Sequence, residues 1–297
     1  MEDAPQRYAV VSGANKGIGL EVVRQLASNG VKVVLTSRDE KRGLHALETL
    51  KDVSHLLLFH HLDVADPASV ASLSHFIKSK FGKLDILVNN AGISGIVITD
   101  KDLIPSVIWK PQELSDDELE KAKIETYELA EECLQTNYYG SKRTTESLLP
   151  LLQLSNSPTI VNVSSSLGIL ERLSNKWAKG ILSDIDSLTE ERVDEVLNVF
   201  MKDFKEGSLE GKGWPKVLGA YSVSKAAMNA YTRILAKKLP TFCVNCLCPG
   251  YVKTDITAHT GFYNVEEGAA NVVRLALLPN GSPSGLFYNR SELYSSY

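Results

Sequence analysis

Ser165, Tyr221 and Lys225 are the residues whose types, taken together, can move a proton at a carbonyl group. Residues four apart share a helical face, so in Tyr221-Ser222-Val223-Ser224-Lys225 the ammonium can lie beneath the phenol. A phenol near pKa 10 is a poor acid–base catalyst at neutral pH, and a neighbouring cation stabilises its phenolate. Ser165 closes the apolar segment Thr159–Ser164 and can hydrogen-bond the same substrate oxygen. The Tyr-x-x-x-Lys spacing is not specific, because Tyr138…Lys142 repeats it. Strand order decides between the two. Sites in open parallel sheets lie at the carboxyl ends of the strands. Ser165 leaves such an end, and Tyr221 lies on the next long helix, before the apolar run Cys243–Cys248. Tyr138…Lys142 has no comparable partner and reads as structural.

A second chemical feature stands near the N-terminus. Gly13-Ala14-Asn15-Lys16-Gly17-Ile18-Gly19 follows a strand-like run and opens a helix-like one. Glycines there allow a tight turn and close approach of a pyrophosphate to the helix N-terminus. The next strand-like run ends in Thr36-Ser37-Arg38. A carboxylate at Ser37 would bind a ribose diol and repel a 2′-phosphate. Arg38 instead offers a planar fork suited to phosphate, with Lys16 a second cation and Arg42 a third. The cofactor expected is therefore NADP(H). The plainer alternative for Arg38 is a solvated charge neutralised by Asp39 or Glu40.

The elements that must position these groups alternate along the chain. Tyr8–Ser12, Lys32–Ser37, Leu56–Leu62, Asp85–Asn89, Thr159–Ser164, Cys243–Cys248 and Gly285–Tyr288 are short, apolar runs of the kind covered on both faces. Between them Ile18, Val22 and Leu26, and Val70, Leu73 and Ile77, recur at helical spacing. The βαβ rhythm predicts an α/β fold, a single-domain, Rossmann-type doubly wound parallel sheet spanning 1–297 with helices on both faces. Two stretches break the rhythm, 93–120 and the insertion 166–219. The insertion holds an amphipathic helix, Thr189–Glu206, with Thr189 as its cap and Val193, Leu197, Phe200 and Phe204 on one side.

Composition narrows the partners. The 297 residues carry a formal net charge of -4 with both signs interspersed, which offers no footprint for nucleic acid or an anionic membrane. No apolar run approaches membrane-spanning length, and Glu2, Asp3 and Pro5 stand where a secretory signal would be basic and then apolar, so a cytoplasmic location is expected. Cys243, Cys246 and Cys248 lack a second pair of ligands at metal spacing, and alternation puts Cys246 and Cys248 on one strand face. No metal site is expected.

Taken in order, Gly13–Gly19, Asp63-Val64, Asn89-Asn90-Ala91-Gly92, Asn137, Ser164-Ser165, Tyr221…Lys225 and Pro249-Gly250-Tyr251-Val252-Lys253-Thr254 resemble the classical short-chain dehydrogenase/reductase family over nearly the whole chain. The resemblance implies that Asp63 and Val64 border the adenine and that Asn90, with Ala91 and Gly92, steadies the strands beside the cofactor. It implies that Pro249, Gly250, Val252 and Thr254 flank the nicotinamide. It also implies that Asn137 joins Ser165, Tyr221 and Lys225 by positioning a water that links Lys225 to solvent. Ser12 departs from the pattern, where threonine is usual.

Typical members place the serine and tyrosine closer together. The long interval here is similar to monomeric carbonyl reductases and, through Thr189-Glu190-Glu191-Arg192, Gly213-Trp214-Pro215 and Asn229-Ala230-Tyr231-Thr232-Arg233, to plant salutaridine and menthone/neomenthol reductases. That resemblance implies NADPH-dependent reduction of a hydrophobic cyclic ketone, terpenoid or alkaloid, by a monomer. Segments 93–120, 166–219 and 255–265 would wall the substrate, the insertion acting as a lid. Trp109, Trp177, Trp214, Phe262 and Tyr263 are candidate liners, although core is the commoner fate of each aromatic. Two other readings stand beside this one. The first is a reductase of a conjugated C=C bond, as in isopiperitenone reductase, which lacks the tyrosine. The second is a silent NADPH-binding protein. An extended sugar-nucleotide epimerase is disfavoured by the glycine spacing and the absence of a large C-terminal domain.

Overall fold

The computed structural model describes residues 6–100, 102–109, 113–115, 117–118, 121 and 123–294. The first half runs β1 (Tyr8–Val11), α1 (Gly17–Ser28), β2 (Lys32–Ser37), α2 (Glu40–Thr49), β3 (Leu57–His61), α3 (Pro67–Phe81) and β4 (Ile86–Asn89). A small antiparallel pair, β5 (Val97–Ile98) and β6 (Lys123–Ile124), flanks the short helix α4 (Ile104–Trp109). Then come α5 (Tyr127–Leu134), a π-helical stretch Gln135–Tyr139, α6 (Gly140–Leu152) and β7 (Thr159–Val163). The insertion contributes α7 (Lys176–Ser183) and α8 (Glu190–Lys205). The chain closes with α9 (Gly219–Lys238), β8 (Cys243–Cys248), α10 (Val265–Ala276), β9 (Phe287–Asn289) and β10 (Glu292–Tyr294).

The main sheet has the order β10-β9-β8-β7-β4-β1-β2-β3. Every neighbouring pair is parallel except β9–β10, which is antiparallel. The doubly wound parallel sheet is as expected, and at one edge a three-residue strand folds back as an antiparallel hairpin. Successive strand residues point to opposite faces, and the core divides accordingly. Val10, Val34, Leu87, Ile160 and Val244 pack with α3, α6 and α9, while Val11, Val33, Val88, Val161 and Leu247 pack with α1 and α10. Strand order reverses between β1 and β4, which opens a crevice at their carboxyl ends. Cys246 and Cys248 share a buried face with Phe287, as ordinary strand packing requires.

The insertion departs from expectation. Thr189 caps α8 by accepting from the Arg192 backbone, and Val193, Val196, Leu197 and Phe200 are buried as the periodicity requires. That stripe packs on α5 and α9 at the side of the sheet and not across the crevice. The helical pair is a buttress, and no residue of α7 or α8 lines the crevice. Trp214 is core: its ring meets Phe200 edge-on at 5.2 Å and its Nε1 donates to the buried Asp203 carboxylate at 2.8 Å. Trp177 is 42% exposed on the buttress. The Trp109 side chain lies outside the described residues.

The second Tyr-x-x-x-Lys serves this buttress. Tyr138 is buried against Tyr231, and Lys142 pairs with Glu190 at 3.0 Å and Asp194 at 3.2 Å, both on α8. Among the described residues no helix is long and apolar enough to cross a membrane.

Candidate active site

A cleft of about 1380 Å³ runs along the carboxyl ends of the strands. Every residue predicted for the cofactor lines it, and so do Ser165, Tyr221 and Lys225. Asn137 does not.

The glycine turn is shaped by what a side chain would strike. Gly13 adopts φ +61°, and a Cβ on it would lie 2.8 Å from Ala91 Cα. A Cβ on Gly19 would lie 2.4 Å from Asn90 Nδ2. Asn90 uses that space to donate to the carbonyls of Ser12 and Gly13 at 2.9 and 3.0 Å. Ser12 Oγ in turn accepts from the backbone N–H groups of Asn90 and Ala91, which is how serine fills the usual threonine position. α1 begins here with no side-chain cap and no acid in its first turn, whereas α2, α3, α8 and α10 each have a capping side chain. Its first N–H groups therefore face the cleft with no partner from a capping side chain, as an anion site needs.

Three cations surround this end. Lys16 pairs with Asp255, Arg38 with Glu132 at 3.1 Å, and Arg42 with Asp39 at 3.4 Å. All are exposed. Arg38 therefore finds its carboxylate on α5 and not at the adjacent Asp39 or Glu40. Ser37 is buried and hydrogen-bonded to the Asp39 backbone. Asp63 accepts from the Ala65 N–H, and the Val64 carbonyl accepts from Arg143. Thr254 lies against Gly17, and Val252 is buried.

At the other end Ser165 and Tyr221 line the same cleft, and Lys225 Nζ lies 5.7 Å from the centroid of the phenol ring. Lys225 is buried and donates to the Val163 carbonyl at 2.8 Å. Burial pushes the Tyr221 pKa up, the Ser165 hydrogen bond pulling weakly the other way. Burial also brings Lys225 down to about 8. The expectation that the neighbouring Lys225 ammonium moves the phenol pKa toward the working range is corrected: in this structure burial of the phenol sets the opposite direction.

Asn137 sits on the π-helical stretch, behind the wall. Its Oδ1 accepts from the Ile93 N–H at 2.9 Å, and its Nδ2 donates to the Ile93 carbonyl and to Ser224 Oγ, both at 3.0 Å. It reaches the cleft only past Gly92, where a Cβ would stand 3.3 Å from Asn137 Oδ1 and 3.5 Å from Lys225 Nζ. Neighbouring Cys133 is a buried thiol raised to about 12, chiefly by burial, and it donates to the Ile93 carbonyl.

Part of the remaining wall is apolar, with Ile93, Ile96, Ile98, Val107, Ile108, Leu167, Ile169, Leu218 and Phe262, and polar residues such as Ser94, Arg172 and His259 line the rest. Of the insertion only its ends contribute, residues 166, 167, 169, 172 and 218. Sequence reasoning missed Asn289 and Arg290, which the terminal hairpin brings to the cleft, where Arg290 donates to the Tyr263 hydroxyl at 2.6 Å. No local signal marks them. Their place depends on β9 pairing with β8.

Comparison with known proteins agrees with this geometry. The model of the short chain dehydrogenase family matches residues 7–176 and 207–261, passing over most of α7 and α8. "Short-chain dehydrogenase/reductase 1" of Saponaria officinalis is 59% identical over 98% of this chain and 96% of its own. A (+)-neomenthol dehydrogenase of Arabidopsis thaliana is 57% identical over 99% of both. The solved structure of salutaridine reductase from Papaver somniferum superposes with a TM-score of 0.87 at 53% identity, covering 96% of this chain and 99% of that one. The chain belongs to the short-chain dehydrogenase/reductase family, and it is an oxidoreductase that takes a nicotinamide cofactor.

Proposed function

We propose that residues 1–297 form one NADPH-dependent reductase domain that converts a hydrophobic cyclic ketone, terpenoid or alkaloid, to its alcohol. The observation that carries this reading is that Ser165, Tyr221 and Lys225 line one cleft beside a stretch of apolar wall, with Lys225 Nζ 5.7 Å from the centroid of the phenol ring. Relatives named for neomenthol and salutaridine support the substrate class.

The residues fit the cofactor. The uncapped N-terminus of α1 and the turn around Gly13 would hold its pyrophosphate, Arg38 and Lys16 a 2′-phosphate, and Val252 and Thr254 the nicotinamide end. When bound, it supplies the hydride for the carbonyl carbon. Tyr221 donates its proton to the carbonyl oxygen, and a phenol whose pKa is raised by burial is well charged with that proton at neutral pH. Ser165 donates a hydrogen bond to the same oxygen. Lys225, held by the Val163 carbonyl, faces the phenolate as it forms. Asn137 holds the Ile93 backbone that forms part of the wall. The buttress on α5 and α9 supports reading the protein as a monomer, and four buried free thiols suit a reducing cytoplasm.

The test is Tyr221→Phe with NADPH and a panel of cyclic ketones, alongside one conjugated enone whose product is identified. Carbonyl reduction should fall by about three orders of magnitude with NADPH binding retained. Wild-type ketone turnover by the variant would remove Tyr221 as the proton donor, and a saturated ketone as the main enone product would transfer the assignment to C=C reduction. No cofactor-dependent turnover in the wild-type protein would leave a silent binder.

A further inference from the structure

Tyr221 and Lys225 continue along one face of α9 to a third polar residue, Asn229, which is 2% exposed. Its Oδ1 accepts from Ser164 Oγ at 2.6 Å, and its Nδ2 donates to the Gly168 carbonyl at 3.1 Å. Ser164 immediately precedes Ser165, and Gly168 ends the short turn that follows it. One amide side chain thus grips both flanks of the segment that presents the Ser165 hydroxyl. The same segment touches α9 at two further points. Gly168 packs so closely that a Cβ on it would lie 2.6 Å from the carbonyl carbon of Lys225, and Lys225 Nζ binds the Val163 carbonyl.

We infer that Asn229 is a positioning residue for carbonyl reduction, fixing the serine-bearing turn to the helix that bears Tyr221 and thereby the geometry between the two hydroxyls. The inference rests on the reading that Tyr221 is the proton donor. The amide meets both demands, accepting through Oδ1 at one flank and donating through Nδ2 at the other. Aspartate would lose the bond to Gly168 and place a charge in the core. Alanine would leave the Gly168 carbonyl and the Ser164 hydroxyl without this partner. Neither change touches the cleft, so ketone and cofactor should bind as before while the reacting groups lose alignment.

The experiment compares Asn229→Ala, Asn229→Asp, Ser164→Ala and the Asn229→Ala/Ser164→Ala pair with Tyr221→Phe. The probes are NADPH and whichever of menthone, camphor or cyclohexanone the wild-type enzyme reduces fastest. Asn229→Ala should lower kcat by about 10- to 100-fold, with KM for the ketone and Kd for NADPH within about twofold. Ser164→Ala should lower kcat less, and the pair should be no worse than Asn229→Ala alone, because both remove one link. Alcohol oxidation provides a readout that loosened packing would not move. The Ser165 hydrogen bond draws the Tyr221 pKa down, so misalignment should shift the midpoint of the kcat–pH profile upward. Folded Asn229→Ala with wild-type kcat and pH profile overturns the inference. Should Asn229→Ala fail to fold, wild-type kcat and profile in Ser164→Ala overturn it equally. Unimpaired Tyr221→Phe removes the underlying mechanism instead, a separate and distinguishable outcome.

Discussion

Exchanging Arg38 for aspartate should reverse the cofactor preference, and the structure sets the size of the effect. The Arg38 side chain is 64% exposed and its partner Glu132 47% exposed, so their 3.1 Å ion pair is a surface pair worth about 0.2–1 kcal/mol. A charge-assisted hydrogen bond from the guanidinium to a 2′-phosphate is worth about 1.5–3 kcal/mol. The phosphate therefore outcompetes Glu132, with a net gain of about 1–2 kcal/mol. Aspartate removes that gain and sets a carboxylate against a phosphate, a repulsion of about 1–2 kcal/mol at a few ångströms in a solvated site. The sum, about 2–4 kcal/mol, predicts that the NADPH/NADH ratio of kcat/KM falls by about 30- to 1000-fold. The assay is steady-state kinetics with both cofactors at one fixed ionic strength, since surface charges are screened by salt. Glu132→Gln is the companion, and by freeing the guanidinium it should raise NADPH affinity by no more than about fivefold. An unchanged ratio, or equal losses for both cofactors, would refute the assignment of the 2′-phosphate to Arg38.

Three further outcomes test the insertion. Asp203→Ala strips the buried Trp214 Nε1 of its acceptor and Lys212 of the nearer of its two carboxylates, and it should cost about 2–4 kcal/mol of stability with kcat within about twofold; a wild-type Tm would contradict the buttress role. Burial raises the Asp203 pKa, but hydrogen bonds from Lys212 and Trp214 outweigh it and hold the carboxyl below its usual value. Such a group contributes stability that is complete above its unfolded pKa of about 3.9 and lost as pH falls through the folded value, so the wild-type advantage should shrink below about pH 4 in denaturant titrations. Light scattering at assay concentration should give about 33 kDa, near the 32.6 kDa of one chain, because α8 covers α5 and α9; a stable dimer would overturn that reading.

Much of the fold was legible because central strands announce themselves locally. Lys32–Ser37 and Cys243–Cys248 were read to the residue, since both are buried continuously and bounded by turns. The edge was not legible: β9 and β10 are three residues each, and their pairing depends on neighbours far away in sequence. In the insertion, periodicity gave the length and cap of α8 but not which apolar surface would receive its stripe. The stripe found α5 and α9, and the lid expected over the cleft became a side support.

Sequence alone determined the features that spacing decides: the glycine turn before α1, the shared helical face of Tyr221 and Lys225, and the choice of Tyr221 over Tyr138 through strand order. Tertiary structure alone decided the partners of the surface cations, the arrival of Arg290 beside Tyr263, and the proton affinities of the site. Desolvation is a sum over every segment packed around a group. Residues distant along the chain close over Tyr221 and Lys225, raising the one pKa and lowering the other, and no local pattern carries that sum.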